Sequence, residues 1–296
     1  MYTDSNGKKW FKGNIHTHTT VSDGRLSPEE SIALYRKNGY DFLAITDHWR
    51  VSETKYTDDG MLLIAGCEYD TGSNVRDGIF HVTSLGCETT PDLQRGADAK
   101  TIVDEIHRCG GIASLAHPAW SMNTHDQLLP VYDGEVKPLF GADVTEIFNS
   151  VSDMPRNCRP YSGIVLDQMA ARGYFTSLVA TDDTHWYGDM DTCRSYIMVQ
   201  ADECTREAIL DAIRAGRFYA TQGPVIEVTK DGDTVNVTCS PAEAIVYFTD
   251  TAWCGHRADV AHGITQGSFR MTNETFVRVE VTDAEGKTAW SAYFGK

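Results

Sequence analysis

The residues of this chain that could do chemistry are histidines and carboxylates, and they recur at the ends of short apolar runs. Asn14-Ile15 leads into His16-Thr17-His18, and Phe42-Leu43-Ala44-Ile45 leads into Thr46-Asp47-His48. Leu62-Leu63-Ile64-Ala65 precedes Gly66-Cys67-Glu68, and Ile112-Ala113-Ser114-Leu115-Ala116 precedes His117-Pro118. Ser177-Leu178-Val179-Ala180 runs into Thr181-Asp182-Asp183-Thr184-His185. His16 and His18 are two residues apart, so on a strand both imidazoles point to one face and can grip one cation. Imidazole and carboxylate without thiolate suit zinc, manganese or iron. A carboxylate such as Glu68 can bridge two cations, and metals roughly 3.5–4 Å apart clamp a hydroxide and a scissile oxyanion together.

A lone histidine is more often a packed or surface side chain than a ligand. His107, His125, His256 and His262 read that way: the first lies on a helix with an apolar face, the second in a polar loop, the last two in a region with no partner pattern. Asp183-Thr184-His185 by itself would suit a cap or turn. Joint occurrence at five strand ends is harder to explain by packing. Purely structural metal sites favour closed, cysteine-containing ligand sets, whereas this one is open and rich in oxygen.

The elements that would position these residues alternate. From Gly13 to about Thr221 short apolar runs alternate with helical segments, the rhythm of an α/β protein with a mainly parallel sheet. Ser27-Pro28-Glu29-Glu30 is a capping box with proline at the first helical position. Further helices are expected over 98–107, 161–172 and 205–215, each followed by glycine. In α/β barrels the C-terminal strand ends converge on one mouth, so residues remote in sequence would meet there. After Gly223-Pro224 short alternating runs separated by Asp231-Gly232 and Glu285-Gly286 predict a small antiparallel β-domain, a sandwich. The expected division is 1–222 for the catalytic domain and 223–296 for the accessory one.

The bulk properties narrow the function. The formal net charge of −16 disfavours extended nucleic acid and anionic membranes as partners. Nothing approaches a membrane span, and the first nine residues lack the apolar core of a signal peptide, so the expected compartment is the cytoplasm. The eight cysteines form no CxxC pair and are expected as free thiols, with Cys67 a buried filler beside Glu68.

Taken together, Gly13-Asn14-Ile15-His16-Thr17-His18-Thr19 with Ser22-Asp23-Gly24, Thr46-Asp47-His48, Glu68, Ala116-His117-Pro118 and Asp183-Thr184-His185 resemble the PHP (polymerase and histidinol phosphatase) metallohydrolase family over residues 13 to about 221. Leu26-Ser27-Pro28-Glu29-Glu30 and Gly216-Arg217-Phe218-Tyr219-Ala220-Thr221-Gln222-Gly223-Pro224 look more particularly like the branch with carbaryl-type hydrolases, where a small β-domain follows the barrel. The resemblance implies a distorted (β/α)7 barrel holding two to three divalent ions. It implies a first site of His16, His18, Glu68 and Asp183, a second of Glu68, His81 and His117, and a third of Asp23, His48 and His185. His81 rests on the resemblance alone, since it precedes an apolar run instead of closing one. The last motif departs from the family's common Gly-Ser-Asp-Ala-His. Asp182 is an extra acid, expected to hydrogen-bond behind the ligands, while Asp183 keeps the two-residue spacing to His185.

The expected activity is hydrolysis of a small phosphoester by a metal-bridging hydroxide held through Glu68, with no side-chain nucleophile. Three divalent cations, less Asp23, Glu68, Asp183 and one hydroxide, leave roughly +2 to attract a phosphate. Arg25 is a candidate substrate contact. Carbamate, ester or amide hydrolysis by the same centre is the alternative, and a non-catalytic metal-binding scaffold is a third reading.

Overall fold

The structure is a computed structural model describing residues 1–57, 59–72, 78–122 and 124–296, with the side chain of His125 outside the described set. It is mixed α/β and falls into two compact units. One comprises Met1–Ser162 and Val179–Phe218, the other Gly163–Leu178 and Tyr219–Lys296.

In the first unit, strand Lys9–Asn14 pairs in parallel with Phe42–Ile45, which pairs in parallel with Leu62–Asp70. The sheet continues through His81–Leu85 and Ile112–Ala116 to Val144–Asn149. The 42–45 and 62–65 segments are apolar throughout because both faces are covered, as expected of parallel strands. Phe42, Ala44, Leu62 and Ile64 belong to a core shared with Ile112, Val144, Val179 and helix residues Ile209, Leu210 and Ile213. The alternate residues Leu43, Ile45 and Leu63 pack instead with Tyr35, Tyr40 and Met61. Each such fully buried side chain contributes about 1.5–3 kcal/mol relative to exposure, so both layers hold the strands in register. Helix Pro28–Lys37 starts at Ser27 with both capping-box hydrogen bonds, and Arg206–Arg214 is capped by Thr205.

The parallel order is broken by strand Tyr196–Gln200, antiparallel to Lys9–Asn14, and by strand His81–Leu85. Strand His81–Leu85 runs antiparallel to both neighbours, with His81 opposite Asp70 on one side and Ala116 on the other. Its first residue therefore lies where the neighbouring strands end. The segment 67–70 also extends the expected strand, so Glu68 lies within Leu62–Asp70 and bridges in parallel to His48.

The second unit is antiparallel. Thr234–Thr249 is one sixteen-residue strand, longer than the short alternating runs expected in this region. It pairs with Ile226–Asp231, Ala258–Arg270 and Phe276–Thr282, and its register shifts between Thr238 and Ala244, around Pro241. Helix Gly163–Ala170 belongs to this unit, so a single cut after residue 222 does not coincide with the compact units. A buried ion pair and the Phe175 ring against Phe276 and Tyr293 tie this segment to the C-terminal strands. Arg278, fully buried, donates Nε and Nη2 to Asp167 at 2.6 and 2.7 Å and pairs with Glu280, while the Tyr293 hydroxyl donates to Asp167 at 3.0 Å. Among the described residues no helix is long and apolar enough to cross a membrane.

Candidate metal centre

All nine residues expected as ligands converge in the first unit. Donor atoms of His16, His18, Glu68 and Asp183 lie within 4.8 Å of one another, as do those of His18, Asp23, His48 and His185, and of His48, Glu68 and His81. His48 rather than His117 thus completes the group around His81. His117 Nε2 stands 3.7 Å from Glu68 Oε1 and 3.6 Å from Asp183 Oδ2, still facing the same centre.

Chain reversals and strand ends bring these side chains together. Asp183 N donates to the His16 carbonyl and His18 N to the Thr184 carbonyl, so the two motifs interlock along their backbones. Asp23 arrives by a tight turn in which Gly24 N donates to the Thr19 carbonyl. A Cβ at Gly24 would sit 2.4 Å from the His18 oxygen, so the turn needs glycine. Asp47 is a clamp rather than a ligand candidate. Its Oδ1 accepts from Thr19 N (2.7 Å) and Ser22 Oγ (2.7 Å), and its Oδ2 from Thr19 Oγ1 (2.6 Å). Asp191 does the same for the next loop, accepting from the backbone of His185, Trp186 and Gly188. His117 and Asp183 have φ of 27° and 52°, conformations that non-glycine residues adopt at a cost and that concentrate at functional sites.

Glu146 carries no motif and was not anticipated. It is buried on strand Val144–Asn149, where Oε1 accepts from Thr181 Oγ1 (2.7 Å) and pairs with His16 Nδ1 (2.8 Å). Its Oε2 accepts from His117 N and Asn149 Nδ2, both at 2.8 Å. A carboxylate on Nδ1 fixes the tautomer and turns Nε2 toward the centre, the usual support of a metal-binding imidazole. His185 is oriented likewise by its Nδ1 contact with the Asp183 carbonyl at 2.8 Å. Asp182 points away from the centre and accepts from Tyr35 Oη and from the backbone N–H groups of Cys193, Arg194 and Ser195. Burial raises its carboxyl to about 6 despite those donors.

The electrostatics are those of charges crowded out of water. Burial would raise Glu68, but the imidazoles of His16, His48 and His81 hold it well below the usual range. Burial opposes protonation of His18, and Asp183 and Glu68 overcome it, lifting the ring to about 9. Yet His16 Nε2, His18 Nε2, His48 Nδ1 and Asp183 Oδ1 are buried and make no aligned hydrogen bond, although charged neighbours crowd them, Glu68 oxygens standing 3.1, 3.0 and 3.4 Å from the three nitrogens. Buried polar atoms left unmatched cost about 1–3 kcal/mol each, and these four face one point. Divalent cations satisfy such a donor set, so the residues fit a metal centre of imidazole and carboxylate.

A cleft of about 220 Å³ opens over the cluster, lined also by Trp120, Ser152, Arg156 and Asn157. Trp120 meets the rings of His81 and His117 edge-on, with centroids 5.5 and 5.0 Å away. Arg25 is not among the cleft-lining residues and stacks on Trp186. Cys67 is buried, and its thiol is pushed up to about 12 by burial, as suits an inert filler. His107 pairs with Asp143, His256 with Asp259 and His262 with Glu243, and none belongs to the clustered donor groups.

Fold and cluster together make an α/β domain with a buried histidine–carboxylate centre suited to divalent metal. A solved two-domain protein from Bacteroides vulgatus, containing a predicted PHP-like metal-dependent phosphoesterase, matches 100% of this chain and 97% of its own, with a TM-score of 0.55 at 17% identity. That likeness is one of fold. The lesion-specific endonuclease EndoQ from Pyrococcus furiosus matches 70% of this chain and 56% of its own, at 16% identity and a TM-score of 0.46. A 5'-3' exoribonuclease of Haemophilus influenzae is 29% identical over 131 residues, 42% of this chain. The match spans 47% of that relative, about half its length. No family model matches the chain.

Proposed function

We propose that the protein is a metal-dependent hydrolase of small phosphoesters, built as a distorted (β/α)7 barrel of the PHP type with a C-terminal β-sandwich. The observation that carries this reading is the set of buried nitrogen and oxygen atoms, without aligned hydrogen bonds, crowded at one centre. His16, His18, Asp23, His48, Glu68, His81, His117, Asp183 and His185 would hold two to three divalent ions, manganese, zinc or iron. When bound, such ions lower the pKa of water toward neutrality and polarise a phosphoryl oxygen.

The chain's own residues do the rest. Glu68 supplies two carboxylate oxygens among four imidazoles, Oε1 beside His16 and His81 at 3.1 and 2.9 Å and Oε2 beside His18 and His48 at 3.0 and 3.4 Å. Glu146 fixes the His16 ring, and Trp120 walls one side of the cleft against water. A cleft of about 220 Å³ suits a phosphate with a few further atoms, below the roughly 300–1,000 Å³ of drug-sized sites. The charge of −16 also opposes a long polyanion.

The test is a panel of phosphomonoesters, phosphodiesters and a short RNA, run beside aryl carbamates and esters, with manganese-, zinc- and iron-loaded protein. Phosphoester cleavage abolished by Glu68→Gln is expected. Cleavage of carbamates or esters alone would move the reading to carbonyl chemistry. Metal-loaded protein inert on the whole panel would leave a binding scaffold.

A further inference from the structure

Two arginines meet one indole beside the cleft. The Arg25 guanidinium lies 4.4 Å from the centre of the Trp186 ring and that of Arg156 lies 4.5 Å from it. Both distances are well inside the range of cation–π attraction, about 6 Å. Arg25 follows the Asp23-Gly24 turn and donates its backbone N–H to the His185 carbonyl, and Trp186 follows His185. Arg156 lines the cleft itself, with Ser152 and Asn157. The two guanidinium groups are therefore held next to the group formed by Asp23, His48 and His185.

Neither guanidinium has a carboxylate or hydrogen-bond partner among the described residues. The chain carries 42 acidic against 26 basic residues, yet among the described residues none of those acids stands against either group. Arg36, Arg95, Arg108, Arg194 and Arg214 each find an acid. Two like charges sharing one ring repel each other, and the ring's negative faces offset only part of that. Both groups are exposed at the mouth, so water screens them while the cleft is open. A ligand anion in the cleft would relieve the repulsion and bring Arg156 a charge-assisted pairing, bidentate to a carboxylate or phosphate.

We propose that Arg156, supported by Arg25 across Trp186, binds a second anionic group of the substrate, remote from the phosphoryl at the metal centre. The preferred substrate is then a phosphoester whose leaving portion carries its own carboxylate or phosphate. The proposal rests on the phosphoester reading above and adds the leaving portion's charge to it. Arg156 is a specificity residue, and Trp186 is a positioning residue that fixes where both guanidiniums stand.

The experiment compares kcat/KM for phenyl phosphate, 4-carboxyphenyl phosphate and 4-phosphonophenyl phosphate, in wild type, Arg156→Ala and Arg156→Lys. The carboxylate and phosphonate arms distinguish the two kinds of second anion. Wild type is expected to prefer an anionic leaving portion, and Arg156→Ala to reduce that preference about 10- to 100-fold, the value of one charged hydrogen-bonding contact. Arg156→Lys should restore only part of it, since an ammonium cannot bind bidentately. Equal wild-type rates on all three, or an equal fall on all three in Arg156→Ala, would overturn the anchor and leave the phosphoesterase standing.

Binding of the uncleavable phenylphosphonate and 4-carboxyphenylphosphonate, followed by tryptophan fluorescence, separates the two failures. If wild type cleaves no phosphoester yet binds the carboxylated phosphonate more tightly through Arg156, the reaction assignment is wrong and the anchor holds. If it neither cleaves nor discriminates, both are wrong. Arg156 is exposed, so its replacement leaves the fold within reach of all these measurements.

Discussion

Replacing Glu146 with glutamine separates support of the metal centre from simple packing. In the native protein one buried carboxylate meets four groups: His16 Nδ1, Thr181 Oγ1, the His117 backbone N–H and Asn149 Nδ2. Glutamine keeps the shape but only one oxygen, so two of those groups face an amide NH2. Hydrogen bonds to charged groups are worth about 1.5–3 kcal/mol, so losing two should cost about 3 kcal/mol or more of folding stability in urea denaturation. The second consequence is particular to this arrangement. With Nδ1 no longer held by a carboxylate, His16 loses its fixed tautomer and part of its basicity, and metal affinity should fall about 10- to 100-fold, or about 1.4–2.7 kcal/mol. Competition with a chromophoric chelator measures that fall directly, on protein shown to be folded by circular dichroism. His107→Ala, which loses only a contact to Asp143, is the control and should leave metal affinity unchanged. Full metal affinity in a folded but destabilised Glu146→Gln protein would refute the orienting role and leave Glu146 as a brace.

Glu68→Gln should give a folded protein with depleted metal by elemental analysis and hydrolysis at least ~100-fold slower; normal metal content and turnover would remove Glu68 from the centre. Metal uptake should release protons at pH 7, measured by calorimetry in buffers of different ionisation enthalpy. In metal-free protein His18 is raised from 6.5 to about 9, so its contribution to stability is complete below pH 6.5 and lost as pH rises through about 9. Metal affinity should rise across that same window, and uptake without proton release would count against the assignment. Arg278→Ala should cost about 3–5 kcal/mol, because it strands Asp167 and Glu280 without their buried cation, while metal stoichiometry stays unchanged. Loss of metal from folded Arg278→Ala protein would contradict that separation.

Much of the centre was legible because its chemistry is local. His16 and His18 share a face by strand periodicity, and strand ends carry His48, Glu68, His117, Asp183 and His185, whereas Asp23 and His81 came from the family resemblance. The helix starts at Ser27 and Thr205 were equally readable, since a cap is satisfied within four residues. Strand Ala258–Arg270 was not, because it is largely exposed and lacks an apolar alternation to announce it. Glu146 offered a faint signal, a lone acid within Val144-Thr145-Glu146-Ile147-Phe148-Asn149, but its partners are at positions 16, 117, 149 and 181.

What the sequence determined by itself is the histidine and carboxylate motifs at five apolar-run ends, their oxygen-rich character and the α/β rhythm that carries them, all of which follow from short-range pattern. Tertiary structure decided three things that no short-range pattern encodes. Strand direction decided His81, since only an antiparallel 81–85 brings the start of an apolar run to the level of its neighbours' ends. Long-range pairing ties helix Gly163–Ala170 to the C-terminal strands, where the buried Arg278 takes Asp167, 111 residues away, as its counter-ion. Spatial convergence decided which donors stand together, placing His48 beside Glu68 and His81 through the parallel bridge between His48 and Glu68. Each depends on free energies of pairing between remote segments, and those exist only once the chain has closed on itself.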